Sequence, residues 1–312
     1  MSNRIRTAVL LAVLTAFILW VGQLLGGRQG LVIALVLAAG MNFFSYWFSH
    51  RMVLSMYRAK PVTPSDAPEL YAMVESLSQQ AQLPMPSVYR IPQDAPNAFA
   101  TGRNPEHAVI AVTDGLLRSM EREEIRGVLA HEMAHIQNRD MLIGSIAATM
   151  AGAVMVLASM ARWSAFFGGG TADDEEGALG WFGLIAMSIL APLAAALIQM
   201  AISRSREYLA DSTGARLAGG SEGLARALEK LGAYSRRIPM NANPSTAHMF
   251  IVNPLAGGSI AKLFSTHPPL DERVRRLRGT RPRTGVSNPI TAEEAGNTGK
   301  RQAEDFWNRL SK

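Results

Sequence analysis

The sequence predicts a mostly α membrane protein in which four hydrophobic helices accompany an α+β domain. Of its 312 residues, 48% are hydrophobic and 18% are charged, with 31 Lys and Arg against 25 Asp and Glu. This composition suits a membrane protein better than a basic, nucleic-acid-binding one, so no nucleic-acid partner is expected. The chain contains four apolar runs. The polar stretches between them contain patterns typical of helices and of strands. The runs cover residues 7–25, 31–48, 141–160 and 179–202.

The runs divide the chain into five predicted regions. A transmembrane hairpin (1–50) precedes the first part of a polar domain expected on the cytoplasmic side (51–140). A second hydrophobic helical hairpin (141–203) separates it from the second part of that domain (204–280), and a flexible tail (281–312) follows.

The first two runs are each long enough to cross a hydrocarbon core of about 30 Å. A Gly-rich turn, residues 26–30, joins them. Arg4 and Arg6 before the first run also fit a signal peptide, but the run is too long and leads directly into the second. Because positive residues flank both outer ends and only Arg28 lies in the turn, both ends are expected to face the cytoplasm.

Residues 61–140 predict mixed secondary structure. Asp66 and Glu69 have the spacing of a capping box at the start of a helix that Leu83 to Pro86 ends. Strand patterns follow at 87–91, 98–101 and 107–112, the last two forming a hairpin. Ser119 is a predicted N-cap for the next helix.

That helix carries the His-Glu-x-x-His motif His131 to His135. Residues four apart lie on one helical face, so both imidazoles can bind one zinc ion, with Glu132 beside them as the general base that deprotonates water. The chain has no cysteine, so any further ligand must be His or a carboxylate.

The second hydrophobic hairpin suggests the third ligand. If its midpoint lies near Gly170, Met133 comes opposite the neighbourhood of Glu207. Glu207 is then the predicted third zinc ligand, and Asp211, four residues on, can accept a hydrogen bond from a ligand histidine. A surface helix whose carboxylates pair with Arg204 or Arg206 is the alternative. Whether the third and fourth runs cross the bilayer or form a re-entrant or buried hairpin stays open.

Four motifs together resemble the HtpX-type bacterial membrane zinc metalloproteases, a family related to the CAAX prenyl protease. They are His131 to His135, Arg206 to Asp211, Asn97 to Gly102, and Ser265 to Pro269. The resemblance implies a multi-pass protein of the bacterial inner membrane with a zincin-like catalytic domain, its termini and that domain facing the cytoplasm. It implies one Zn²⁺ per chain, held by His131, His135 and Glu207, with Glu132 as the base.

The same resemblance implies an endopeptidase for misfolded or damaged membrane proteins, active in stress responses and overlapping in function with FtsH. His267 resembles the family's oxyanion-stabilising position; otherwise it is a structural histidine at a Pro-Pro turn. Asn97 is expected to contact substrate or order the edge of the site, or else to be a turn residue. The strand at 107–112 is a candidate for pairing with an extended substrate. His50, His107 and His248 are interpreted as structural or surface residues.

Two other functions fit the same residues. A non-catalytic membrane scaffold would use the motif as a structural metal site, and a prenyl-protein processing protease would share the chemistry but not the substrate. A transporter fits less well, because the four runs contain no ionisable residue.

Overall fold

The computed structural model describes residues 3–151, 204–254 apart from positions 239, 241 and 244, and 268–279. All of them belong to one compact unit, residues 1–280. The predicted tail (281–312) and most of the second hydrophobic hairpin lie outside the described residues.

The chain begins with helical backbone from Asn3 to Met56, α1, which reverses direction near Gly27. Asn42 Nδ2 donates to Thr15 Oγ1 at 2.8 Å. A straight helix would separate residues 27 positions apart by about 40 Å, so the two halves must lie side by side. Gly27, with φ +53°, lies near the midpoint of that pair. The reversal falls within the Gly-rich turn that the sequence predicts.

One helical segment in the described part of the chain is long and apolar enough to cross a membrane. It runs from Gly27 to Met56 with a mean hydropathy of 1.8, and 17% of its most apolar window is buried. A shorter apolar helix covers Met141–Ala151, here α5. The prediction of four hydrophobic helices is therefore not confirmed, since residues 152–203 are not described.

A four-stranded sheet follows α1, in the order β1-β2-β4-β3. The strands are β1 (Lys60–Pro61), β2 (Ser87–Ile91), β3 (Ala98–Thr101) and β4 (Val109–Thr113). β2 and β4 are parallel, whereas β3 and β4 form the predicted antiparallel hairpin. The suggestion that residues 107–112 add a substrate strand is wrong, because β4 lies inside the sheet with β2 and β3 on its two sides. The edge strand next to β4 is β3, and β1 forms the opposite edge of the sheet.

Helices cover the sheet. They are α2 (Pro68–Ala81), α3 (Asp114–Ser119), α4 (Arg122–Gln137), α6 (Arg204–Ala218), α7 (Glu222–Ser235) and α8 (Leu270–Gly279). Two of the predicted helix N-caps differ from those in the structure. Asp66 accepts from Thr63 in the preceding turn, and Ser119 ends α3 rather than starting α4. Glu124 instead accepts from the Glu121 N–H at 2.8 Å, because a carboxylate three residues into a helix can reach back to its first free amide.

The core lies between α2, α4, α6 and α7 and includes the buried Val128, Leu129, Leu224 and Leu228. α6 approaches α4 very closely: a Cβ at Gly214 would lie 2.9 Å from the Cα of His131. Glycine at this position therefore allows α6 to lie directly against the motif helix.

Candidate metal centre

α4 places the two motif histidines together in the interior. Their rings lie 4.7 Å apart at 89°, and their Nε2 atoms are 3.2 Å apart. The spacing of four residues explains this, since it returns a side chain to the same helical face.

α6 brings Glu207 to the same point. One carboxylate oxygen lies 3.8 Å from Nε2 of His131 and the other 3.6 Å from Nε2 of His135. The three ligand atoms all lie within 4.8 Å of one another. Two residues from one helix and one from another, distant in sequence, thus form a single donor cluster.

The cluster fits a small tetrahedral cation. Ligands about 2.0–2.1 Å from zinc in tetrahedral geometry are about 3.3–3.4 Å from each other, close to the observed 3.2, 3.6 and 3.8 Å. Two imidazoles and one carboxylate are also the ligand set of many catalytic zinc sites, which keep a fourth position open. The residues present therefore suit zinc.

Two further carboxylates orient the rings. Nδ1 of His131 lies 3.0 Å from Asp211, and Nδ1 of His135 lies 3.2 Å from Asp140. Each Nδ1–H donates to its carboxylate, which directs the Nε2 lone pair at the metal position. Asp211 lies beside a ligand histidine, as the sequence analysis expects. Asp140 was missed, although its position just after the motif helix and before an apolar run was a usable signal.

The electrostatics differ between the two histidines. Burial lowers the pKa of His131 to about 4, so this ring is neutral. Burial also lowers the pKa of His135, but the hydrogen bond to Asp140 and the charges of Glu207 and Glu132 outweigh it and raise the pKa to about 9. Burial, reinforced by the charge of Glu207, raises the pKa of Glu132 to about 7, near the optimum for a base working at neutral pH.

Arg273 of α8 is the main residue that the sequence analysis missed. It is fully buried and donates to both oxygens of Asp211, at 2.9 and 2.7 Å, and to the carbonyl of Ile251 at 3.0 Å. Its Nη1 also lies 3.5 Å from Glu207. Although burial opposes ionisation of Asp211, the charge of Arg273 and the bond to His131 lower its pKa to about 2. The signal was an arginine on the same face of α8 as the buried Val274 and Leu277.

A cleft opens beside these residues. Glu132, only 2% exposed, lines it together with Ala100 of β3, whose backbone amide hydrogen-bonds the Glu132 carboxylate. The segment from His248 to Ile251 forms another wall. The sheet edge beside the cleft is thus β3, whose Ala98 carbonyl accepts from the Ile251 N–H of the cleft wall at 3.0 Å.

Asn97 does not reach the cleft. Its amide donates to the Val252 carbonyl at 2.8 Å and its oxygen accepts from the Ala98 N–H, so it ties β3 to the wall of the cleft. These contacts are of the kind expected if Asn97 orders the edge of the site. His267 lies outside the described residues, and its predicted role stays a prediction.

A His-Glu-x-x-His helix completed by a glutamate from a second helix, beside a sheet edge, defines a metalloprotease site. The comparisons agree: the family model "Peptidase family M48" matches residues 64–281. This chain therefore belongs to peptidase family M48.

Its relatives are similar over nearly their whole length. The chain is 63% identical over 310 residues to a "Protease HtpX homolog" of Desulfatibacillum aliphaticivorans, covering 99% of this chain and 100% of that one. It is 54% identical to a protein of the same name in Pyrococcus furiosus, covering 88% and 94%. Among solved structures, S. mikatae Ste24p matches with a TM-score of 0.49 and 22% identity, covering 88% of this chain and 65% of that chain.

Proposed function

We propose that this metalloprotease is a zinc endopeptidase of the bacterial inner membrane that cuts misfolded or damaged membrane proteins on the cytoplasmic side. The observation that carries the proposal is the cluster of His131, His135 and Glu207 next to Glu132, in which only His135 is partly exposed. In this proposal the first three hold one zinc ion, and Asp211 and Asp140 orient the two rings. A role in stress responses, overlapping with that of FtsH, follows from the same family resemblance.

Each residue has a distinct task. Zinc, when bound, supplies a Lewis acid that polarises the scissile carbonyl and activates water. Glu132 accepts a proton from the attacking water and returns it to the leaving nitrogen, for which its raised pKa is suited. β3 provides the edge along which an extended substrate aligns.

The location of the cleft supports membrane-protein substrates. Met141, the first residue of the apolar helix α5, itself lines the cleft. Only five residues separate His135 from Met141 along the chain. A peptide emerging from the bilayer would therefore be close to the scissile position.

The test compares the full chain in detergent, stripped with chelator and reloaded with zinc, with its Glu132→Gln variant. An unfolded model protein serves as substrate. We expect zinc-dependent cleavage by the wild type and loss of cleavage with retained zinc in Glu132→Gln. Glu123→Gln is the matched control, because Glu123 is an exposed carboxylate on the same helix. Cleavage by Glu132→Gln at the wild-type rate would refute the mechanism. If the wild-type protein binds zinc but does not cleave, the result would favour a non-catalytic membrane scaffold with a structural metal site.

A further inference from the structure

A cationic patch lies where the apolar helix meets the sheet. We define it as Arg51 of α1 and Arg103 of the β3–β4 loop. The Arg103 guanidinium stacks 4.4 Å from the centroid of the Trp47 ring, and its Nη2 lies 2.6 Å from Nε2 of His107. The Arg51 guanidinium lies 5.8 Å from the Phe48 ring. Trp47 and Arg51 are four residues apart on α1 and so share one helical face, which places Arg103, stacked on Trp47, on the same side of the helix as Arg51.

The patch has a defined depth if the helix spans a bilayer. Twenty residues beyond Arg28 the helix has advanced about 30 Å, the thickness of a hydrocarbon core, and this point is Phe48. Tyr46 and Trp47, which are 37% and 41% exposed, then stand at the membrane interface, where amphipathic aromatic rings are enriched. Arg51, and Arg103 stacked on Trp47, consequently lie in the headgroup layer.

Among the described residues, no carboxylate balances the positive charges of the patch. In the described part of the chain, no Asp or Glu oxygen comes within 4.0 Å of the Arg51 or Arg103 guanidinium. Glu106 lies on the same loop but is exposed and pairs with neither. Arginines elsewhere on the surface do have such partners, for example Arg90 with Asp114 and Arg278 with Glu229.

We propose that Arg51 and Arg103 bind the phosphate of an anionic phospholipid, with Trp47 against the upper part of its acyl chains. The proposal rests on the membrane location put forward above. Guanidinium groups suit phosphate oxygens, and interfacial basic residues favour anionic over zwitterionic headgroups. His107 holds the Arg103 guanidinium in place for this contact.

The contact would anchor one wall of the active site. Arg103 follows β3 after a single residue, Gly102, whose φ of +138° and close approach to the His107 carbonyl fix a tight turn. Ala100, three residues before Arg103, lines the cleft. A bound lipid therefore positions the strand along which the substrate is expected to align.

The experiment is native mass spectrometry of the full chain, carrying Glu132→Gln to prevent proteolysis, titrated with phosphatidylglycerol or phosphatidylcholine of the same acyl chains. At about fivefold per interfacial arginine, phosphatidylglycerol should be preferred by roughly 25-fold. Arg51→Gln with Arg103→Gln should remove most of that preference. Arg51→Lys with Arg103→Lys should keep most of it, and the surface pair Arg90→Gln with Arg118→Gln should keep all of it.

Three results would overturn the proposal: equal binding of the two lipids, an undiminished preference in the double glutamine variant, or an equal loss in the surface control. Displacement of phosphatidylglycerol by millimolar inorganic phosphate would also overturn it, by assigning the patch to soluble phosphate. Failure of the membrane location would be visible separately, as extraction of the protein by alkaline carbonate without detergent. Neither readout depends on peptide cleavage.

Discussion

Asp211 joins the metal ligands to the rest of the protein, since it accepts from His131 on one side and from Arg273 on the other. Glu132, Glu207, Asp211 and Asp140 are all buried within this region. Carboxylates crowded in the interior are unstable unless cations offset them. Arg273 is therefore as much a part of the centre as the ligands are, although it is expected to touch neither metal nor substrate.

Replacing Arg273 by Met should destabilise the protein strongly, because Asp211 would stay buried without its charge partner. Breaking a buried pair in this way costs about 3–5 kcal/mol, which lowers Tm by about 10 °C in a chain of this size. Thermal unfolding of the metal-free protein in detergent measures the shift. Zinc should recover part of the loss by supplying positive charge nearby.

Arg278→Met is the matched control for this substitution. Arg278 belongs to the same helix and, like Arg273, pairs with two carboxylates, but on the surface, where such pairs contribute little. Equal shifts in Tm for the two variants would contradict the role assigned to Arg273.

Metal binding should strengthen with pH. With a pKa of about 9, His135 carries a proton at pH 7 in the metal-free protein and must lose it to become a ligand. One displaced proton raises the apparent zinc affinity by about tenfold per pH unit below that pKa. Competition with a chromophoric chelator between pH 6.5 and 8, corrected for the chelator's own protonation, measures the slope.

Asp140→Asn provides the internal comparison. Asp140 raises the pKa of His135 through both its hydrogen bond and its charge, so a neutral amide in its place should lower that pKa and flatten the dependence on pH. An identical slope in both proteins, or no slope in the wild type, would show that another group controls binding.

Some residues of the metal centre could be predicted from the sequence and others could not. His131, Glu132 and His135 follow from a spacing that one helix converts directly into geometry, and Glu207 and Asp211 required only the further assumption that a hairpin returns the chain. Asp140 and Arg273 depend on how separate elements pack. Local sequence patterns carry little information about such packing.

At the level of elements, the packing of α6 on α4 decides whether Glu207 reaches the histidines. Gly214 lies two turns after Glu207 on α6 and against the backbone of Ala130 and His131. Strand positions near the site were predictable because each strand is bounded by turn residues. The order of the sheet was not, since the parallel pairing of β2 with β4 is non-local, and this order moved the expected substrate edge from β4 to β3.

Gly214→Ala should therefore impair both metal binding and cleavage. The new Cβ would approach the Cα and N of His131 at 2.9 Å, and backbone atoms cannot turn aside as a side chain can. α6 must then move away from α4, and a displacement of about 1 Å at a catalytic centre can lower the rate about a hundredfold. Zinc stoichiometry and cleavage rate measure the effect.

Gly220→Ala serves as the comparison, since a Cβ there would meet no atom within 4 Å. It should leave zinc content and cleavage rate unchanged. Wild-type values for Gly214→Ala would show that the helices can separate without disturbing the centre.

Over the whole molecule, the apolar helix of α1 runs directly into the peptidase unit. Tyr57, just beyond α1, is buried and hydrogen-bonds Thr246, and its ring packs against Phe99 of β3 and Phe250 in the wall of the cleft. The end of the apolar helix and the wall of the cleft thus meet in one aromatic cluster. Hydropathy predicted the segment itself, because length and apolarity are properties of composition, but the contacts that join it to the cleft come from residues far apart in sequence.

The reversal of α1 near Gly27 can be tested with a disulfide, and the absence of native cysteine makes the background clean. Thr15→Cys with Asn42→Cys should cross-link under mild oxidation, because the native side chains are in hydrogen-bonding contact. Thr15→Cys with Phe44→Cys should not, since Phe44 is 57% exposed and points elsewhere. Gel mobility before and after reduction, in membranes and at low protein density, distinguishes cross-links within one chain from those between chains. In a straight helix the two positions would be about 40 Å apart, so a rapid intramolecular cross-link would require the hairpin, and its absence would refute it together with the proposed placement of both ends of α1 on one side of the membrane.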